Sequence, residues 1–188
     1  MDEDLATIEA IRNGDESALV LLTERYREPI FRLAFRFVSN STDARSLTEE
    51  IFEKVYFNAS KFQPRSSVKS WIFTIAANRC RDHLRREKRY RWMRSLSSSF
   101  TSDDEKHSDL DIVDDQPNAA ESTERDERLL EMQNAVQSLP EKLRFPFVFC
   151  ALEGHTQDEA AEILHLSRKT VESRVYRARR ELQVMLKQ

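Results

Sequence analysis

The chain has 188 residues, 30 Lys and Arg against 33 Asp and Glu, 39% hydrophobic residues, and only two glycines. That length allows one or two small domains, and so few glycines beside five prolines leave few tight turns, which disfavours a β-rich fold. No apolar run approaches the ~20 residues needed to span a bilayer, and the acidic start Met1-Asp2-Glu3-Asp4 is the opposite of a signal peptide, so membrane insertion is not expected and a cytoplasmic location is.

The net charge of −3 conceals four blocks. Residues 1–60 sum to −5, residues 61–94 to +9, residues 95–127 to −9 and residues 128–188 to +2. Like-charged clusters repel themselves unless a partner neutralises them, and phosphate backbones are the commonest such partner. Two basic patches held apart by an acidic segment therefore predict contact with nucleic acid at two places. Cys80 and Cys150 lie far apart in apolar or helical contexts, so a disulfide is not expected and a reducing compartment is.

In chain order, Asp15 and Ser17 are candidate caps of a helix running to about Val38. Leu19, Leu22, Tyr26, Ile30, Leu33 and Phe37 form its apolar stripe, and Pro29 is a candidate kink. After a turn at 39–42, Thr42 or Asp43 caps a helix to about Asn58. Its buried face is Ala44, Leu47, Ile51, Phe52 and Val55; Glu49, Glu50, Glu53 and Lys54 lie opposite. A loop around Pro64 leads into a long helix from Val68 to Arg94. Its first half is apolar and its second half is a basic rod through Arg79, Arg81, Arg85, Arg86, Lys88, Arg89 and Arg91. Residues 95–122 are rich in Ser and Asp and read as a flexible acidic linker. Four helices follow, at about 123–138, 141–152, 156–164 and 168–187, with Ser138 to Glu141 resembling a capping start. The expected fold is all-α: two small helical domains, 1–94 and 123–188, joined by that linker.

Residues 156–180 have helix-turn-helix spacing. Thr156 and Ser167 are caps, small Ala160 lets the helices approach, and Leu166 fills the turn. Val171, Val175, Ala178 and Leu182 form the buried stripe of the second helix. Arg168, Lys169, Glu172, Ser173 and Tyr176 then point outward near its N-terminal half, where a recognition helix reaches base edges in the major groove. Arg174, Arg177, Arg179 and Arg180 suit phosphates. In the middle of the chain, Phe62, Trp71 and Phe73 beside the arginine run suit stacking on single-stranded or melted nucleic acid. For either Trp71 or Phe73 alone, core packing is the stronger reading.

Enzymatic readings fare poorly. Cys80 with His83, and Cys150 with His155, lack the further ligands of a zinc site. No third group completes a nucleophilic triad, and glycine-rich phosphate loops are absent from the sequence. No catalysis and no cofactor are expected.

Several stretches together resemble the extracytoplasmic-function, or group IV, sigma factors of the bacterial sigma-70 family. Ala18-Leu19 through Phe37 looks like region 2.1, and Asp43-Ala44 through Phe52 like region 2.2. Trp71-Ile72-Phe73-Thr74-Ile75-Ala76-Ala77-Asn78-Arg79-Cys80-Arg81-Asp82-His83-Leu84-Arg85-Arg86 is close to the pattern of regions 2.3 and 2.4. Ser138-Leu139-Pro140 and the helix-turn-helix resemble region 4. The resemblance implies a factor that binds RNA polymerase core and directs initiation at promoter DNA. Asp43, Leu47, Glu49, Glu50, Phe52 and Glu53 would meet the β′ clamp helices. Phe62, Trp71, Asn78, Arg79, Arg81, Arg85 and Arg86 would capture and melt the −10 element. Arg168, Lys169, Glu172, Ser173, Arg174, Tyr176, Arg177 and Arg180 would read the −35 element, with the same domain on the β flap. An anti-sigma factor is a further partner the resemblance admits. The sequence departs from the pattern at Arg45-Ser46, where the family carries an acidic pair, and at His165, where glycine is common. The competing reading is a helix-turn-helix regulator that binds duplex DNA without polymerase core.

Overall fold

The computed structural model describes residues 3–98 and 123–187, and every regular element among them is helical. They are α1 (Glu3–Arg12), α2 (Glu16–Val38), α3 (Ser41–Asn58), α4 (Val68–Ser98), α5 (Thr123–Ser138), α6 (Glu141–Phe147), α7 (Gln157–Leu164) and α8 (Arg168–Met185). A single 3-10 turn, Ala59–Lys61, follows α3, and a π-turn, Val148–Leu152, continues α6. The all-α expectation holds. The acidic segment 99–122 lies outside the described residues, and α4 runs on to Ser98, past the helix end expected at Arg94.

Caps fix where the elements begin. Asp15 Oδ1 accepts from the Ser17 backbone N–H at 2.9 Å and starts α2 as expected. The cap of α3 is Asn40, not Thr42 or Asp43: its Oδ1 accepts from the Asp43 N–H at 2.9 Å. Ser39, just before it, closes α2 in the left-handed region with φ 50°. The Ser138 hydroxyl donates back to the Ala135 carbonyl at 2.8 Å, so it does not cap α6, whose N-cap is Pro140. Pro146 inside α6 removes one backbone donor. The chain then widens into the π-turn, where the Glu153 N–H reaches the Val148 carbonyl at 2.9 Å.

Helix α1 was not legible in the sequence pattern. It buries Ile8 and Ile11 and is tied to α2 by Arg25 with Glu3 at 3.0 Å, and by Arg25 and Tyr26 with Asp4. With it, α2, α3 and the first half of α4 form an N-terminal core around Leu22, Ile30, Leu33, Leu47, Ile51, Val55 and Ile72. Helices α5–α8 pack around Leu139, Phe149, Ala160, Ile163, Val171 and Ala178.

These two halves do not stand apart. Phe37 of α2 stacks on Phe145 of α6 with ring centroids 4.1 Å apart. Phe73 of α4 meets Phe149 at 6.2 Å and His155 at 4.7 Å. Polar ties flank the rings. Arg36 Nε donates to Glu153 Oε1 at 3.3 Å, Ser70 Oγ to Glu162 Oε2 at 2.7 Å, and Thr74 Oγ1 to the Ile163 carbonyl at 3.3 Å. The Glu153 side chain is only 4% exposed and is also 3.8 Å from Arg32, so its charge is answered by two arginines one turn apart on α2. One continuous apolar core therefore spans both halves.

Candidate nucleic-acid interface

The helix-turn-helix is built from its caps. Thr156 Oγ1 accepts from the Glu159 N–H at 3.2 Å, and Glu159 Oε2 accepts from the Thr156 N–H at 2.8 Å, a complete capping box on α7. That backbone donor, with the Thr156 hydroxyl and the Lys69 ammonium, holds the Glu159 carboxyl below its usual range. Helix α7 ends at His165, which takes the left-handed conformation at φ 53° that glycine would accept more easily. Leu166 N–H then bonds to the Ala161 carbonyl at 2.9 Å. Ser167 Oγ accepts from the Thr170 N–H at 3.2 Å and starts α8.

The outer face of α8 is open. Val171, Val175, Ala178 and Leu182 are buried, so helical periodicity turns Arg168, Lys169, Glu172, Ser173, Tyr176, Arg177 and Arg180 outward, all exposed. Tyr176 keeps 63% of its surface. Arg174 is half-buried, and Arg168 is 3.4 Å from Asp158 on α7. Two cations in the first turn of α8 oppose the helix dipole; a phosphate at that end would relieve them.

The basic face of α4 is engaged within the chain. Arg81 Nε lies 3.0 Å from Glu141 Oε1, and its guanidinium sits 4.8 Å over the Phe145 ring. Arg81 Nη1 also donates to Asn78 Oδ1 at 2.9 Å. Arg85 is 3.8 Å from the same Glu141 carboxylate. Arg79 and Arg86 both turn to Glu50 of α3, Arg86 at 3.8 Å. The sequence predicted a free basic rod; the fold instead answers its N-terminal part with acids from α3 and α6.

Three expected contact residues are corrected. Phe62 is 4% exposed and packs on Trp71 with centroids 5.1 Å apart, so in this arrangement it presents no face to a base. Leu47 and Phe52, assigned to a protein contact, are 1% and 7% exposed and belong to the core. Phe73 is likewise buried, as core packing predicts, while Trp71 is half-buried. Asp43 and Glu50 are half-buried, and Glu49 and Glu53 are exposed on α3. Sequence reasoning missed Phe57, 63% exposed at the end of α3. Its signal was available: it falls off the stripe that contains Ile51 and Val55.

The Cys80 thiol and the His155 imidazole are both buried. Cys80 is fully buried, and burial pushes its thiol up to about 12, against the opposing charge of Arg81. His155 is 7% exposed. Burial first, then Lys69, push its pKa below the ordinary 6.5, with Glu159 opposing.

Comparison with known proteins agrees with this architecture. The family model "Sigma-70 region 2" matches residues 22–90, and "Sigma-70, region 4" matches residues 129–182. The RNA polymerase sigma-H factor of Pseudomonas aeruginosa is 29% identical over 179 residues, spanning 95% of this chain and 91% of that protein. The ECF RNA polymerase sigma factor SigE of Mycolicibacterium smegmatis is 31% identical over 185 residues, spanning 96% of this chain and 67% of that protein. Among solved structures, CnrH in complex with the cytosolic domain of CnrY superposes with a TM-score of 0.71 at 22% identity, covering 99% of this chain and 98% of that one. The two region models fall one on each helical half, and with the SigE relative matched along nearly the whole chain, the chain belongs to the extracytoplasmic-function sigma factors of the sigma-70 family.

Proposed function

We propose that this sigma factor reads −35 DNA with the outer face of α8 and uses the basic end of α4 at −10 only after its two halves part. The observation that carries this reading is the contrast between the two faces. The outer-face side chains of α8 stand in solvent, whereas Arg81 is held by Glu141 at 3.0 Å, with Arg85 3.8 Å from the same carboxylate. In this reading Glu172, Ser173 and Tyr176 select bases, and Arg174, Arg177 and Arg180 hold phosphates. Asn78, Arg79, Arg81, Arg85 and Arg86 grip the displaced strand, with Trp71 as the platform. Asp43, Glu49, Glu50 and Glu53 meet polymerase core, and the exposed Phe57 ring extends that surface.

The residue ranges follow: 1–94 as the region 2 domain, 95–122 as the linker, and 123–188 as the region 4 domain. The factor works by binding rather than by catalysis, in the cytoplasm beside polymerase. CnrH is solved with a protein partner, and this chain offers a surface for an anti-sigma factor too. Leu129 and Met132 of α5, each 51% exposed, line an apolar hollow with Phe35, Val136 and Leu152.

Run-off transcription with purified polymerase core and a promoter library tests the proposal. Specific initiation should depend on this chain, and the starts should share −35 and −10 letters. Tight, sequence-specific binding of duplex promoter DNA by the free chain, with no effect on core, would instead favour a conventional regulator.

A further inference from the structure

We propose that Asp43, His83 and Glu87 form a binding site for a divalent transition-metal ion at the seam between α3 and α4. His83 and Glu87 are four residues apart on α4, the spacing that stacks two side chains on one helix face. Asp43 stands in the first turn of α3, which packs on α4. One ligand atom from each of the three lies within 4.8 Å of the others. Donors about 2.0–2.2 Å from a shared ion are themselves at most ~4.4 Å apart, so a small rotamer adjustment closes the set.

Two features mark the cluster as more than a chance meeting of charges. His83 Nε2 is shielded from solvent and has no hydrogen-bond partner, which is rare for a buried polar atom. The imidazole is therefore uncommitted at that nitrogen. Asp43 forms no ion pair among the described residues, although it lines the same hollow as Arg86. The arginine turns instead to Glu50, 3.8 Å away, which Arg79 also holds. Glu87 has Arg91 at 3.8 Å, but the two side chains are 49% and 75% exposed, and such a pair yields easily.

The donor chemistry selects the class of ion. A neutral imidazole with two carboxylates carries two negative charges and suits Zn²⁺, Mn²⁺, Fe²⁺, Co²⁺ or Ni²⁺; Mg²⁺ and Ca²⁺ prefer all-oxygen shells. Three protein ligands leave positions for water. Nearby Arg86 and Arg91 weaken the attraction, so affinity should be micromolar rather than structural. A bound ion would join the helix proposed for polymerase core to the helix proposed for −10 DNA. That consequence rests on the functional reading above; the site itself does not.

Calorimetric titration of the full chain, kept reduced, with Zn²⁺ and separately with Ni²⁺ tests the site. One equivalent per chain and a raised melting temperature are expected, with no response to Mg²⁺. His83→Ala and Glu87→Gln should each weaken binding roughly tenfold or more. Glu87 is exposed, so its variant should keep the circular dichroism of the parent. Three results would overturn the proposal: no binding up to millimolar ion, unchanged binding in Glu87→Gln, or an equivalent lost only in Cys150→Ser. None of these measurements depends on transcription, so the site can fail while the sigma-factor assignment stands.

Discussion

Phe145→Ala should open the molecule more than it unfolds either half. The ring is 2% exposed, stacks on Phe37 at 4.1 Å, and lies 4.8 Å beneath the Arg81 guanidinium. Both partners sit in the N-terminal half. A buried Phe→Ala change costs ~3–5 kcal/mol in total. Of that, an aromatic pair accounts for about 1 kcal/mol and a part-desolvated cation–π contact for about 1 kcal/mol. About 2 kcal/mol is therefore lost across the junction, a roughly 30-fold shift toward the open form. Solution X-ray scattering should show a larger radius of gyration, and Glu141 should release Arg81 and Arg85 for DNA. Phe145→Leu keeps apolar volume without the ring and should show a smaller shift. An unchanged radius with a lowered melting temperature would mean that Phe145 supports only its own half, and the reasoning would be wrong.

Other expectations follow from single sites. Burial of His155 between Phe73 and Phe149 lowers its pKa in the folded chain, so the unfolded chain takes up the proton more readily. Its stabilising share is present above the unfolded value near 6.5 and is lost as pH falls below it; urea midpoints should drop on acidification, and His155→Leu should flatten that slope. Native Cys80, with its thiol raised to about 12 by burial, should resist a thiol reagent at pH 8 until denaturant is added, and the half-buried Cys150 should react first; equal native rates would contradict the burial argument. Thr156→Ala removes the capping box on α7 and should cost about 1 kcal/mol in chemical denaturation, with Thr156→Ser near neutral. Glu172→Ala or Ser173→Ala should change −35 preference by ~1–3 kcal/mol per lost base contact, whereas Arg174→Ala should weaken all sites alike; a uniform loss for Ser173→Ala refutes its role as a base reader.

Local chemistry made much of this protein legible in its sequence. The stripe from Leu22 to Phe37, the boundaries of α7 and α8, and the Thr156 and Ser167 caps all follow from periodicity and capping, which act over four residues. The open face of α8 follows as well, because four buried positions on one helix dictate what remains outside. Helix α1 was missed because its stripe is only Ile8 and Ile11, too short to stand out. The burial of Phe62, the pairing of Arg79 with Glu50 and of Arg81 with Glu141, and the meeting of Asp43 with His83 were decided by tertiary structure alone. Each joins residues far apart in the chain, and no periodicity within one helix encodes which neighbour will face it. For the same reason the sequence separated two domains, whereas packing of Phe37 on Phe145 and Phe73 on Phe149 made one core of both.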